Sequence, residues 1–282
     1  MFQQFLVVAG MSSATYMLTA LGFTLIFGIM RVVNFAHGEF LLVGAYTVFV
    51  AQHDLGLSYG LALPLAALVA GGLGVLSERF LFQRFLGDET GGMIVALALA
   101  ITIKGAVTIV WGVDSQPIDR PFSGSFEIGG TFIPKDQLFA AGVALVLVVA
   151  TWWLLKHTRL GLAMRMVAQS SEVARLQGVT PWKTFPVAFA IGAALAGLAG
   201  ALAAPIYGAE PNMGDAALMK AFIVVVLGGL GSIPGAILAS VLLATTEAGL
   251  SILFNPTIAA LVSFLAVIGV LLVRPAGILG RS

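Results

Sequence analysis

The sequence predicts an all-α polytopic membrane protein with eight to nine transmembrane helices, some of them short or interrupted. Three observations carry this. Of the 282 residues, 59% are hydrophobic and only 10% are charged, whereas a soluble domain carries about 25% Asp, Glu, Lys and Arg because its surface must be hydrated. The apolar residues gather into stretches, most of them near the roughly 20 residues that cross a bilayer core. Runs such as 141–155 are continuous, without the apolar–polar alternation of a membrane barrel strand. The composition excludes a disordered chain and a nucleic-acid binder. The absence of cysteine excludes structural disulfides, thiol catalysis and thiolate metal sites.

In chain order the apolar stretches are 5–30, 40–51, 59–82, 92–111, 138–155, 185–206, 217–230, 235–253 and 257–273. The second and seventh are short for a span. The first has no basic region before it and runs too long for a secretion signal, so it reads as a retained helix. Between the fifth and sixth lies the largest polar segment, 156–184, with Lys156, Arg159, Arg165, Arg175 and Lys183. The positive-inside rule puts this segment in the cytoplasm. Counting crossings outward from it brings Arg31, Arg79, Arg84, Arg274 and Arg281 to the same side, out of 14 basic residues in all. The opposite side collects Asp54, Asp114, Asp119, Glu127, Asp136, Glu210 and Asp215, against Arg120, Lys135 and Lys220. Nine crossings give an outside N-terminus and a cytoplasmic C-terminus. If 217–230 re-enters instead of crossing, the last two helices invert; the charge pattern favours crossing. The loops 112–137 and 156–184 are too short for a soluble domain, so residues 1–282 read as one transmembrane domain. There is no G-x-x-x-x-G-K-[ST] loop, so any ATP that drives this chain binds to another subunit.

The 34 glycines exceed the usual ~7%, and their spacing is informative. Gly192, Ala196, Gly200 and Ala204 recur every four residues, as do Ala193, Gly197 and Ala201, which suits close helix contact in lipid, within the chain or between subunits. Two glycine-flanked segments read as breaks in helices. One is 28–39, with Asn34, His37 and Glu39; the other is 228–235, with Gly228, Gly231 and Pro234. Unwound backbone at membrane depth survives only where it is buried or lines a cavity, so these six residues are candidates for a substrate path. A plain surface loop is the alternative for each segment. Charges inside spans are expensive and mark function or pairing: Lys104 is placed to pair with Glu247 or Glu39, or to snorkel to the interface. The three histidines are scattered, which leaves no metal site, and no catalytic constellation points to an enzyme.

The stretch 22–28 with 30–39 (GFTLIFG, MRVVNFAHGE), the stretch 219–235 (MKAF through VLGGLGSIPG) and the closing 274–281 (RPAGILGR) resemble the signatures of LivH-type permeases. These are the membrane subunits of branched-chain amino-acid ABC importers, and the resemblance covers essentially the whole chain. It implies an inner-membrane permease that forms half of a translocation path. The implied partners are a second, LivM-type permease, two cytoplasmic ATPases that hold ATP and Mg, and a periplasmic binding protein; this chain itself would hold no cofactor. Urea and short-amide permeases share the same motifs. The resemblance also implies a coupling helix in 156–184, where Ser170 or Ser171 begins and Gly178 ends a short helical pattern. Glu172, Ala174, Arg175 and Gly178 would meet the ATPase. The reading from another class is an ion-gradient-driven transporter or channel, with Glu39, Lys104 and Glu247 as coupling groups.

Overall fold

The computed structural model describes residues 2–128, 131–274 and 276–280; Pro275 and Arg281 of the closing segment lie outside the described residues. The helices are α1 (Phe2–Met30), α2 (His37–His53), α3 (Tyr59–Phe80), α4 (Glu89–Trp111), α5 (Lys135–His157), α6 (Arg159–Gln169), α7 (Ser171–Leu176), α8 (Pro181–Tyr207), α9 (Met213–Gly228), α10 (Ile233–Leu253) and α11 (Pro256–Val273). Each apolar stretch of the sequence is one helix. Seven of these helices are long and apolar enough to cross a bilayer. The other two are α2 and α9, at 17 and 16 residues.

Burial sorts the spans into an inner and an outer set. The apolar windows of α1 and α8 are each 67% buried, while those of α4 and α11 are only 17% buried. The outer helices therefore present apolar side chains such as Ile109, Val146 and Leu272 outward, as lipid requires. Helix α8 can sit at the centre because its glycines admit neighbouring backbones. A Cβ at Gly192 would stand 2.8 Å from the Gly22 carbonyl of α1, and one at Gly200 would collide with the Leu41 carbonyl of α2. Gly197 meets Gly44 of α2 on one side and Ala70 of α3 on the other. The small-residue rows of α8 are thus spent on packing within the chain.

The bundle has two chemically distinct ends. At one, Leu25 and Ile29 of α1 pack with Leu155, Met164, Val167, Ala174 and Phe185, which seats α6 and α7 under α1 and α8. The C-terminal segment reaches the same end: the Ile278 and Leu279 amides donate to the carbonyls of Leu227 (2.8 Å) and Gly228 (3.0 Å). This end carries Arg31, Arg79, Arg84, the basic residues of 156–184 and Arg274. At the other end, Gln116 and Ala209 exchange backbone hydrogen bonds of 2.8 and 3.0 Å, and the Gln52 amide donates to the Asp119 carbonyl. Asp54, Asp114, Asp119, Glu127 and Glu210 lie there.

Three elements were not foreseen. Strands β1 (Ser125–Ile128) and β2 (Thr131–Pro134) form an antiparallel hairpin between α4 and α5, with Ser125 paired to Pro134. Helix α6 is amphipathic and is capped by Thr158, whose hydroxyl accepts from the Gly161 amide at 3.0 Å.

Candidate functional site

The first break is irregular backbone inside the bundle. Val32 packs on Gly92 in the first turn of α4, at the basic end. Only five residues later, the His37 Nε2–H donates to the Thr19 carbonyl at 3.0 Å. Thr19 lies about 16 Å up α1 from Met30, at 1.5 Å per residue. The segment 31–36 therefore climbs back beside α1, and α2 starts deep in the bundle. Its backbone groups find local partners: the Asn34 side chain accepts from the Ala36 amide at 3.1 Å, and the Asn34 carbonyl accepts from the His37 amide at 3.1 Å. Asn34 and His37 are buried, at 2% and 0% exposure. Asn34 shapes the turn, and His37 ties the start of α2 to α1.

The segment 228–235 lies elsewhere. Gly229 and Gly231 take positive φ values of 104° and 79°, and Ser232 caps α10 through the Gly235 amide. Gly228 packs on Gly235, and Gly231 comes near Gly28. With Pro234 in the first turn of α10, this is a tight helix-to-helix turn at the basic end. A second deep entry does exist, at 208–212. Ala209 shares a cluster with Leu42, Ala45, Tyr46 and Phe49 of α2, with Met213 packed against it, and Gly214 then touches Gly38 at the deep start of α2. Helix α9 thus begins inside the bundle and runs to the basic end, so the stretch 208–228 crosses in two parts. Its sequence signal was present in Gly208, Pro211 and Asn212, but these residues read as an ordinary outer loop.

The first turns of α2 and α9 meet where Gly38 touches the Gly214 backbone. Each carries an acidic residue, Glu39 and Asp215, where the helix dipole favours negative charge. Lys104 reaches them from α4 and pairs with Asp215 at 2.6 Å. Its partner is therefore neither Glu39 nor Glu247. Asp215, assigned above to an outer loop, belongs to this deep junction instead. Glu247 pairs with Lys220 of α9 and accepts from the Tyr16 hydroxyl at 2.6 Å.

A cavity of about 550 Å³ opens beside this junction. It runs from Gln137, Tyr207 and Glu210 at the acidic end down to Thr19, Leu41 and Ala221. Ser12, Thr15 and Thr19 place a row of hydroxyls of α1 in this lining, which Lys220 of α9 shares. Asn34, His37 and Glu39 stand behind this wall rather than in it, and Gly228, Gly231 and Pro234 lie below it. Sequence reasoning missed the hydroxyl row, although the spacing of Ser12, Thr15 and Thr19 marks one face of a helix.

At the basic end, α7 matches the short helix expected from its Ser start and Gly stop. The Ser170 hydroxyl accepts from the Val173 amide at 3.2 Å, and Gly178 closes the helix at a φ of 80°. Ala174 is buried, at 1% exposure, against the cluster under α1. Glu172, Arg175 and Gly178 face outward, as do the apolar Val173 and Leu176, the latter 85% exposed. The Arg175 guanidinium lies 5.4 Å from the Trp182 ring centre.

Comparison with known proteins agrees with this architecture. Residues 6–273 match the family model described as the branched-chain amino acid transport system permease component. The chain is 33% identical over 283 residues to the high-affinity branched-chain amino acid transport system permease protein LivH of Escherichia coli K12, covering 95% of this chain and 92% of the relative. It has the same identity and coverage with the corresponding protein BraD of Pseudomonas aeruginosa. To LivM of Salmonella typhimurium, also named as a permease protein of that system, it is 31% identical over 259 residues, covering 82% of this chain and 60% of the relative. No solved structure matches. The chain is a polytopic membrane protein that belongs to the family of permease components of branched-chain amino-acid transport systems.

Proposed function

We propose that this chain carries a branched-chain or related small amino acid across the inner membrane, as half of an ATP-driven translocation unit. The partners in this reading are a related LivM-type permease, two cytoplasmic ATPases holding ATP and Mg, and a periplasmic binding protein; the chain itself holds no cofactor. The basic end faces the cytoplasm, with the N-terminus outside and the C-terminus inside. Residues 1–282 act as one membrane domain whose segment 156–184 meets the motor.

The observation that carries the reading is α7. A six-residue helix with its own cap, one buried anchor and outward Val173 and Leu176 is suited to a groove on another protein. Its seat against α1 and α8 leads into the interior of the bundle. When the ATPases close, Glu172, Ala174, Arg175 and Gly178 would transmit the displacement. The breaks at 31–36 and 228–235 then flex: Asn34, His37 and Glu39 gate the deep start of α2, while Gly228, Gly231 and Pro234 gate the cytoplasmic exit.

The test is reconstitution of all subunits in vesicles, measuring ATP hydrolysis and leucine uptake together. Gly178→Pro and Arg175→Glu should each leave hydrolysis running while uptake collapses. Coupled uptake in both variants would move the contact away from α7. Uptake by this chain without ATPases would establish the ion-gradient alternative, and uptake of urea or acetamide in place of leucine would reassign the substrate.

A further inference from the structure

The Lys220–Glu247 pair has no role in the coupling described above, yet it occupies costly ground. Both residues sit within apolar helices, at side-chain exposures of 29% and 13%, where ionisable groups persist only when paired or functional. Glu247 is held from two sides, by Lys220 and by the Tyr16 hydroxyl. The Lys220 ammonium lies 5.4 Å from the Tyr16 ring centre, which adds a cation–π attraction. An ammonium has three N–H donors, and one of them goes to Glu247. Lys220 lines the 550 Å³ cavity and, together with Glu247, a second one of about 430 Å³ between α9, α10 and α11. In the α1 part of the larger cavity's lining, the Thr15 and Thr19 hydroxyls donate to the carbonyls of Met11 and Thr15, one turn back. Their oxygens, and that of Ser12, still have lone pairs to offer. The rest of the wall is apolar at Met11, Leu202 and Ile206, with Gln137, Tyr207 and the carboxylate of Glu210 at its acidic end.

We propose that this cavity is a binding site for an aliphatic zwitterion, with Lys220 taking the α-carboxylate and the hydroxyl row of α1 accepting from the ammonium. The side chain lies against the apolar wall. Glu247 and Tyr16 are positioning groups that hold the Lys220 ammonium at the cavity edge. The arrangement is balanced in charge: a neutral Lys–Glu pair receives a net-neutral ligand, so loading adds no net charge to a site within the membrane. A ligand lacking the carboxylate leaves Lys220 without its second partner and gains nothing from it. This proposal rests on the amino-acid reading above and names where in the chain that substrate is held.

Because the chain contains no cysteine, a single thiol reports on the site. Val8→Cys, at a residue that lines the cavity one turn from the hydroxyl row, is introduced into the assembled complex without binding protein, and labelling of this chain by a membrane-impermeant methanethiosulfonate is followed by mass. Ile109→Cys, on the lipid-facing side of α4, is the control. Labelling at position 8 should be slowed by leucine and not by leucinamide, while the control stays unlabelled. Lys220→Gln should weaken protection by leucine about tenfold or more, the loss expected for one charge-assisted hydrogen bond, and Lys220→Arg should retain most of it. The proposal is overturned if leucine does not slow labelling, if leucinamide protects equally well, or if Lys220→Gln leaves protection intact. Should Lys220→Gln fail to assemble, the comparison of leucine with leucinamide on the Val8→Cys complex decides alone. ATP-dependent leucine uptake by the wild-type complex is measured separately. Its presence with no protection sinks the site and spares the amino-acid reading; its absence sinks both.

Discussion

Gly44 has no room for a methyl group. A Cβ there would run into the Gly197 backbone, whereas one on Gly142 of α5 would meet nothing within 4 Å. The same substitution should therefore have opposite effects at the two positions. Gly44→Ala forces α2 and α8 apart and should destabilise the fold by about 1–3 kcal/mol, the usual cost of overpacking. Gly142→Ala adds only helix propensity and should be neutral or stabilising by up to about 1 kcal/mol. Unfolding of the two purified variants in mixed detergent measures the difference, and equal stabilities would refute the close approach. The spacing of the α8 glycines was readable from sequence because it follows the helical repeat. Their partners were not, since Gly22 and Gly44 lie on other helices and only the assembled bundle brings them to α8.

The helices were legible where their signals were local. Ser170, Gly178 and Pro181 bracket α7 in sequence, and each takes the place its chemistry favours. Removing the cap by Ser170→Ala should cost about 1 kcal/mol of local stability. Amide exchange over 171–176 should then speed up about fivefold, with exchange in α8 unchanged; equal rates would mean that tertiary contacts alone hold α7. Helix α6 was overlooked although Thr158 precedes Leu160, Met164 and Val167 at i, i+4 and i+7, because a basic segment between spans reads first as a solvated loop. The two deep starts show a different limit. Asn34 and the glycines around it announced a break before α2, but its depth is set by the contact of His37 with Thr19, which no local pattern encodes. Likewise Gly208, Pro211 and Asn212 announce a turn and say nothing of how far α9 then starts inside the bundle. Lys104 and Glu247 were recognised as charges needing partners, and the partners proved to be Asp215 and Lys220, both on α9. That helix was the least certain span in the sequence.

The orientation proposed for the bundle rests on the chemistry of its two ends and can be tested in a chain free of cysteine. The basic residues gather with α6, α7 and the C-terminal segment, and membranes retain such clusters on the cytoplasmic side. Single thiols at Leu55 and Val113, which are 60% and 73% exposed at the acidic end, should react with an impermeant reagent on intact spheroplasts. Thiols at Leu176 and Leu279, which are 85% and 48% exposed at the basic end, should react only after the membrane is opened. The Leu279 position is the most demanding of the four. It stays with Leu176 only if 208–228 crosses as irregular backbone followed by α9, because each later helix inherits its direction from that crossing. The amide of Leu279 bonds to the Gly228 carbonyl at the end of α9, which fixes the C-terminal segment to the basic end. Labelling at Leu279 together with Leu55 would therefore break the packing of the C-terminal segment on α9, along with the assignment of sides. Exchange of both pairs as a group would invert the molecule in the membrane and leave that packing intact.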